Sequence, residues 1–276
     1  MPAKRRLRSA SGPPRTLVIA LQTGLFVLLI GAWESASRFG AIDRFFFSQP
    51  SIFISRALRW LTDPGFLLGG RSIYHHLFIT LEEMAGGFIL GVLLGVTIGF
   101  LLGRSRFWSA VFNPYIQVLN ALPRLVLAPI FVLLLGIDER SKIALAFSLV
   151  FFIVFFNAYR GVREVDRNVL NNARMLGASE AQLGRHVLLP SAMSWILSSL
   201  HTSVGFALVG AVVGEYLASA QGLGWIISQA QGNFDAAGVY AGMLILCVVV
   251  VIVESAVTSL ERRLIRWRES DELLAG

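Results

Sequence analysis

Long apolar runs separated by short polar ones dominate this chain. Six stretches, 17–37, 78–102, 111–136, 141–160, 192–218 and 238–260, are each long enough to cross a bilayer. A helix rises 1.5 Å per residue, and the hydrocarbon core is about 30 Å thick. The pattern predicts an all-α polytopic membrane protein with about six transmembrane helices. Residues 1–16 read as an N-terminal tail, 17–77 as a first membrane helix and an amphipathic loop, 78–262 as a core and 263–276 as a C-terminal tail.

Within that loop, Ile52, Phe53, Ile54, Ala57, Leu58, Trp60 and Leu61 follow Pro50-Ser51 at near-helical spacing, while Arg56 and Arg59 take other positions. This fits a short amphipathic helix at the outer membrane surface, started by Pro50-Ser51 and stopped by Asp63-Pro64-Gly65. A plain connector is the alternative.

The polar stretch at 160–190 holds Arg160, Arg163, Glu164, Asp166, Arg167, Arg174, Glu180, Arg185 and His186. It is too polar to span and too long for a turn. Residues 165–176 and 179–187 can each form a short helix, with Gly177 supplying the positive φ that a sharp reversal needs. Ser179 suits the N-cap of the second piece, with Gln182 as its capping-box partner. Leu189-Pro190 is expected to stop that helix and start the next span. The product is a stiff helix–turn–helix between two spans.

The third run contains Pro114, Pro123 and Pro129 beside Asn113, Asn120 and Arg124. Interior prolines kink helices and free carbonyls, which is tolerated where helices line a cavity. An intramembrane Arg faces protein or water, so Arg124 is either a pathway residue or a structural one. Asn120, Pro123, Arg124, Asn157 and Glu215 are the candidates for a translocation pathway, with Glu215 near the outer end of the fifth run. Gly210-x-x-x-Gly214 offers a small-residue face for close helix approach, between subunits or within one. Gly222-Leu223-Gly224-Trp225 reads as a re-entrant or outer-surface segment.

Composition agrees with a membrane protein. The 276 residues are 55% hydrophobic and only 15% charged, against roughly 25% charged in soluble domains. The net charge of +7 comes from 22 Arg and two Lys, placed at the ends of the apolar runs. That is a topology signal rather than a nucleic-acid footprint. With the N-terminus in the cytoplasm, sixteen basic residues fall inside and seven outside, so both termini are expected inside. Lys142 is counted there as an outer-loop charge. Cys247, the sole cysteine, reads as a small buried hydrophobe. A cleavable leader ending near Ser35-Ala36-Ser37 is the alternative to a retained first helix.

Asn171-Asn172-Ala173-Arg174-Met175-Leu176-Gly177, then nine residues, then Val187-Leu188-Leu189-Pro190 resembles the conserved cytoplasmic loop of permease subunits in bacterial ABC importers. That loop is usually written E-A-A, three residues, G, nine residues, I-x-L-P. Asn171 stands where the usual Glu would be. The run from Asn120 to Pro129 is similar to the nitrate, sulfonate and taurine subgroup of these type I permeases, where Glu82 and Glu83 depart from a usual basic residue.

The resemblance implies a homodimeric permease in the bacterial inner membrane, with two ATPase subunits inside and a periplasmic or lipid-anchored substrate-binding protein outside. Ala173, Arg174, Gly177, Ala178 and Ser179 would form the ATPase-coupling loop, anchored by Leu189 and Pro190. The mechanism would be alternating access for a small solute, a small anion first and a vitamin-precursor heterocycle second.

No cofactor is expected on this chain, because Mg-ATP would bind the partner. Neither lysine follows a Gly-rich P-loop, and the four His make no metal spacing. The rival classes are a secondary transporter, which would show inverted repeats and interior carboxylates, and a membrane enzyme, for which no catalytic constellation is present.

Overall fold

The computed structural model describes residues 15–63, 66 and 68–264. Most of both tails, with the basic residues Lys4, Arg5, Arg6, Arg8, Arg266 and Arg268, lies outside the described residues, as does the Pro64-Gly65 stop. The helices run α1 Arg15–Arg38, α2 Arg44–Phe47, α3 Pro50–Thr62, α4 Ile73–Arg104, α5 Arg106–Ala121, α6 Ala128–Leu135, α7 Glu139–Arg163, α8 Arg167–Met175, α9 Glu180–Leu183, α10 Leu189–Leu217, α11 Leu223–Gly232 and α12 Ala236–Leu264.

Among the described residues, five helices are long and apolar enough to cross a membrane alone: Thr16–Arg38, Ile73–Arg104, Glu139–Arg163, Glu180–Leu217 and Ala236–Ser259. The predicted third span is not one helix. It is α5 and α6 bent by 85°, and it makes a sixth span if taken as one. Pro123 has no N–H to continue the helix, and it confines Leu122 to an extended backbone (ψ 130). A short 3₁₀ segment, Arg124–Leu127, then turns the chain into α6, whose first turn accommodates Pro129.

The centre is built on glycine. Along α4, Gly87, Gly91, Gly95, Gly99 and Gly103 recur every four residues and are all buried. They form one ridge that α7 lies against. A Cβ at Gly87 would sit 2.4 Å from the Ala146 Cβ, and one at Gly99 2.6 Å from the Phe155 carbonyl oxygen. From the other side, a Cβ at Gly210 of α10 would lie 2.5 Å from the Ala146 Cα, and one at Gly214 would strike Lys142 at 2.8 Å. Gly210-x-x-x-Gly214 therefore packs within one subunit. In lipid, where apolar surface gains little by leaving hydrocarbon, such close backbone approach is what holds helices together.

α12 buries Ala241, Ile245 and Val249 on one face. Cys247 lies on the other and is exposed, so it is not a core residue. The apolar face of α3 is also used inside the protein: Phe53, Ala57 and Trp60 are buried with Leu223, Ala241 and Ile245. α3 is amphipathic as predicted, but this face packs on α12 and α11 instead of lying on lipid. The end of α1 closes the layer. Its Glu34 carboxylate accepts from the Ser51 N–H at 3.0 Å and caps α3, where the N-cap Gln49 makes no side-chain cap of its own.

Candidate coupling loop and translocation site

The caps and the turn of the candidate coupling loop follow from the spacing of its residues. Asp166 opens α8 by accepting from the Asn168 N–H (2.8 Å). α8 ends at a Gly177 with φ +86. The Gly177 N–H donates to the Arg174 carbonyl (2.9 Å), and the Ala178 N–H donates to the Ala173 carbonyl (3.0 Å). These are the two bonds of a Schellman cap, in which the left-handed residue follows the third-last helical residue by four positions. The Ala173-to-Gly177 spacing is therefore a requirement of the turn.

Ser179 then starts the next helix with a complete capping box. Its Oγ accepts from the Gln182 N–H, and the Gln182 side chain accepts from the Ser179 N–H. Arg174 pairs with Glu180 across the turn at 3.0 Å. Arg104, at the end of α4, donates to the Glu180 carbonyl at 2.8 Å. Met175 and Leu176 project from the tip, 79% and 89% exposed.

One expectation is corrected here. Leu189-Pro190 does not stop the second piece, because Glu180 to Leu217 is one continuous helix. A π turn over Gly184–Leu188, with the Leu189 N–H reaching the Gly184 carbonyl, widens the ladder just before Pro190. The missing proline N–H is absorbed without a break. The turn of the loop is thus welded to a membrane helix.

At the α5–α6 break, Arg124 donates to Asn120 Oδ1 (3.0 Å), and its guanidinium lies 4.8 Å over the Phe152 ring. Its Nε–H is buried without a hydrogen-bond partner among the described residues. Asn120, Pro123 and Arg124 line a cavity of about 320 Å³ with Leu149, Phe206 and Val209. Asn157 is not part of that cluster; its amide donates to the Ile153 carbonyl of its own helix (2.8 Å).

Glu215 is fully buried at the end away from the coupling loop. It accepts from Thr80 Oγ1 (2.6 Å) and from the Gly224 N–H (2.6 Å), capping α11. Thr80 in turn accepts from the Leu223 N–H (2.9 Å). A Cβ at Gly222 would lie 2.2 Å from the Glu215 carboxyl carbon, and one at Gly224 would strike the Val212 carbonyl at 2.3 Å. Gly222-Leu223-Gly224 is thus the cradle of this carboxylate.

Glu83 lies beside it, carboxyl against carboxyl, and its oxygens meet no donor from any other residue among the described residues. Lys142 is the cation that acts on both carboxyls. Lys142 is itself buried and donates to the Asp138 carbonyl at 3.0 Å. It is a core cation, not an outer-loop charge.

Residues 89–266 match the profile of the family described as binding-protein-dependent transport system inner membrane component. The chain belongs to this family. Among its relatives is a Bacillus subtilis (strain 168) permease named for aliphatic sulfonates, SsuC, 34% identical over 89% of this chain and 86% of the relative. The taurine transport system permease protein TauC of Escherichia coli (strain K12) is 29% identical over 92% of each chain. In fold, the chain is similar to an inward-facing MetNI methionine ABC transporter, with a TM-score of 0.60 at 18% identity, covering 69% of this chain and 95% of that one.

The protein is therefore an ABC importer permease, a multi-pass inner-membrane subunit rather than an enzyme; in this family the ATPase is a separate subunit, and a substrate-binding protein completes the system. Sequence reasoning did not reach the exposed Met175 and Leu176, the burial of Glu83 and Lys142 or the glycine ridge of α4. Only the ridge had a readable signal, five glycines at four-residue spacing.

Proposed function

We propose that this permease works as a homodimer with two ATPase subunits, importing a small organosulfonate-type anion by alternating access, with both termini in the cytoplasm. The observation that carries the reading is the continuous helix Glu180–Leu217 joined to a doubly bonded Schellman turn at Gly177. A rigid lever of this kind passes a push on Met175 and Leu176 into a membrane helix without slack. Ala173, Arg174, Gly177, Ala178 and Ser179 form the lever's head, and Leu189 and Pro190 lie where it enters the membrane.

For the solute, Arg124 supports an anion. A guanidinium lining a mostly apolar cavity attracts a sulfonate oxygen, while Leu149, Phe206 and Val209 accept a short carbon chain. Names such as SsuC and TauC among the relatives support the same solute class. Asn120 and Pro123 shape this site. Glu215 and Asn157 take supporting positions outside it.

The test is uptake into liposomes holding the permease, its ATPase and the binding protein, with taurine, ethanesulfonate, nitrate and a formylaminopyrimidine as solutes. ATP-dependent uptake of the sulfonates is expected, with Arg124→Gln lowering it about tenfold, the loss of one charged hydrogen bond, while the complex still assembles. Uptake by the permease alone, without ATPase, would replace this reading with a secondary transporter. Uptake confined to the heterocycle would replace the solute class.

A further inference from the structure

At the coupling-loop end, α4, α5, α7 and α8 bring guanidinium groups to one hollow of about 480 Å³. Arg104 ends α4, Arg106 starts α5, Arg163 ends α7, and Arg167 and Arg174 belong to α8. Among the described residues, Glu180 is the single carboxylate lining the hollow, and it is already paired with Arg174. Asn171 also lines it and is neutral. A bias of basic residues toward one membrane end accounts for their number. It does not account for their convergence from four helices on one concavity.

A second feature lies on the same helix as Arg106, among residues that do not themselves line the hollow. Phe107 and Trp108 follow Arg106 directly and are 69% and 52% exposed, their rings edge to face at 5.3 Å. Exposed aromatic side chains of this kind sit at the boundary between acyl chains and headgroups. The hollow is therefore a basic cup, and the first turn of α5, which supplies its Arg106, also carries two exposed aromatic side chains.

We propose that this cup binds the phosphate headgroup of an anionic phospholipid of the phosphatidylglycerol class, with the acyl chains lying along Phe107 and Trp108. The arginine forks suit a phosphodiester, which offers two acceptor oxygens in one plane. A free phosphate would satisfy the same forks but would leave Phe107 and Trp108 bare. The bound headgroup bridges the α4–α5 turn to α8 and reinforces the tie already made by Arg104 to the Glu180 carbonyl. This assignment stands independently of the transported solute.

The experiment is native mass spectrometry of the full chain in detergent, alone and bound to its ATPase, titrated with phosphatidylglycerol, phosphatidylcholine or inorganic phosphate. The wild type is expected to retain phosphatidylglycerol over phosphatidylcholine, and inorganic phosphate should not displace it. Asn171→Glu places a carboxylate in the cup and should weaken retention about fivefold, the worth of one charge near a lipid surface. Arg106→Gln should act in the same direction. Arg185→Gln, which does not line the cup, should change nothing.

Circular dichroism confirms that each variant is folded. Equal retention of both lipids, or unchanged retention by Asn171→Glu, overturns the proposal. Displacement by inorganic phosphate would assign a free anion instead, and loss of the lipid on ATPase binding would assign the cup to a protein carboxylate.

Discussion

Gly91 and Gly177 are the same residue serving opposite needs. Gly91 lies in the interior of α4, where a Cβ would come within 2.6 Å of the Val150 side chain. Gly177 has a φ of +86 and nothing within 4 Å of where a Cβ would go. In the membrane core, glycine is required by what surrounds it. At the coupling loop it is required by the backbone alone. Sensitivity to side-chain volume therefore belongs to the core, and sensitivity to backbone conformation belongs to the loop.

This contrast can be broken from either side. The largest effect is expected from Gly91→Leu or Gly87→Val, which force α4 away from α7. Overpacking costs about 1–3 kcal/mol, and more where backbone must move, so thermal unfolding in detergent should show a marked drop or no folded protein. At Gly177, Val should cost about 1–2 kcal/mol because an L-residue resists the left-handed conformation. Asn tolerates it and should stay close to wild type, although it is larger than the Ala that would be most conservative by volume. If unfolding temperature followed side-chain size at Gly177, the distinction would fail.

Ser179→Ala removes one half of the capping box and should cost about 1 kcal/mol, visible as faster hydrogen exchange over 179–183. The smallest effect is expected from Arg174→Gln. Its ion pair with Glu180 is half-exposed, and such pairs contribute about 0–1 kcal/mol. A melt indistinguishable from wild type is the predicted result.

The loop was more legible than the core, for a physical reason. Turn chemistry is local, so Gly177, Ser179 and Gln182 announce a reversal and a cap within a few residues, and the structure has both. The apolar runs announce spans for the same reason. What could not be read depends on contacts distant in sequence. Lys142 sits among Asp138, Glu139 and Arg140 and so looks like a loop charge, yet α4 and α10 supply the carboxylates that let it be buried.

Pro123 and Pro190 carry the same local warning, and their outcomes differ. Pro123 breaks its helix because the chain turns there. Pro190 is passed because a π turn one step earlier widens the ladder. Cys247 could not be placed from its apolar run, because lipid-facing and core-facing positions share one composition, and it is exposed.

In the proposed mechanism the Gly177 turn and the Glu180–Leu217 helix act as one rigid lever between ATPase and membrane. Its most direct test is solute-stimulated ATP hydrolysis by the reconstituted complex, comparing wild type with Gly177→Asn and Gly177→Val. Near-normal stimulation is expected for Asn and loss of stimulation for Val, with the ATPase still bound to the permease in both. Full stimulation in the Val variant, with the complex intact, would contradict it.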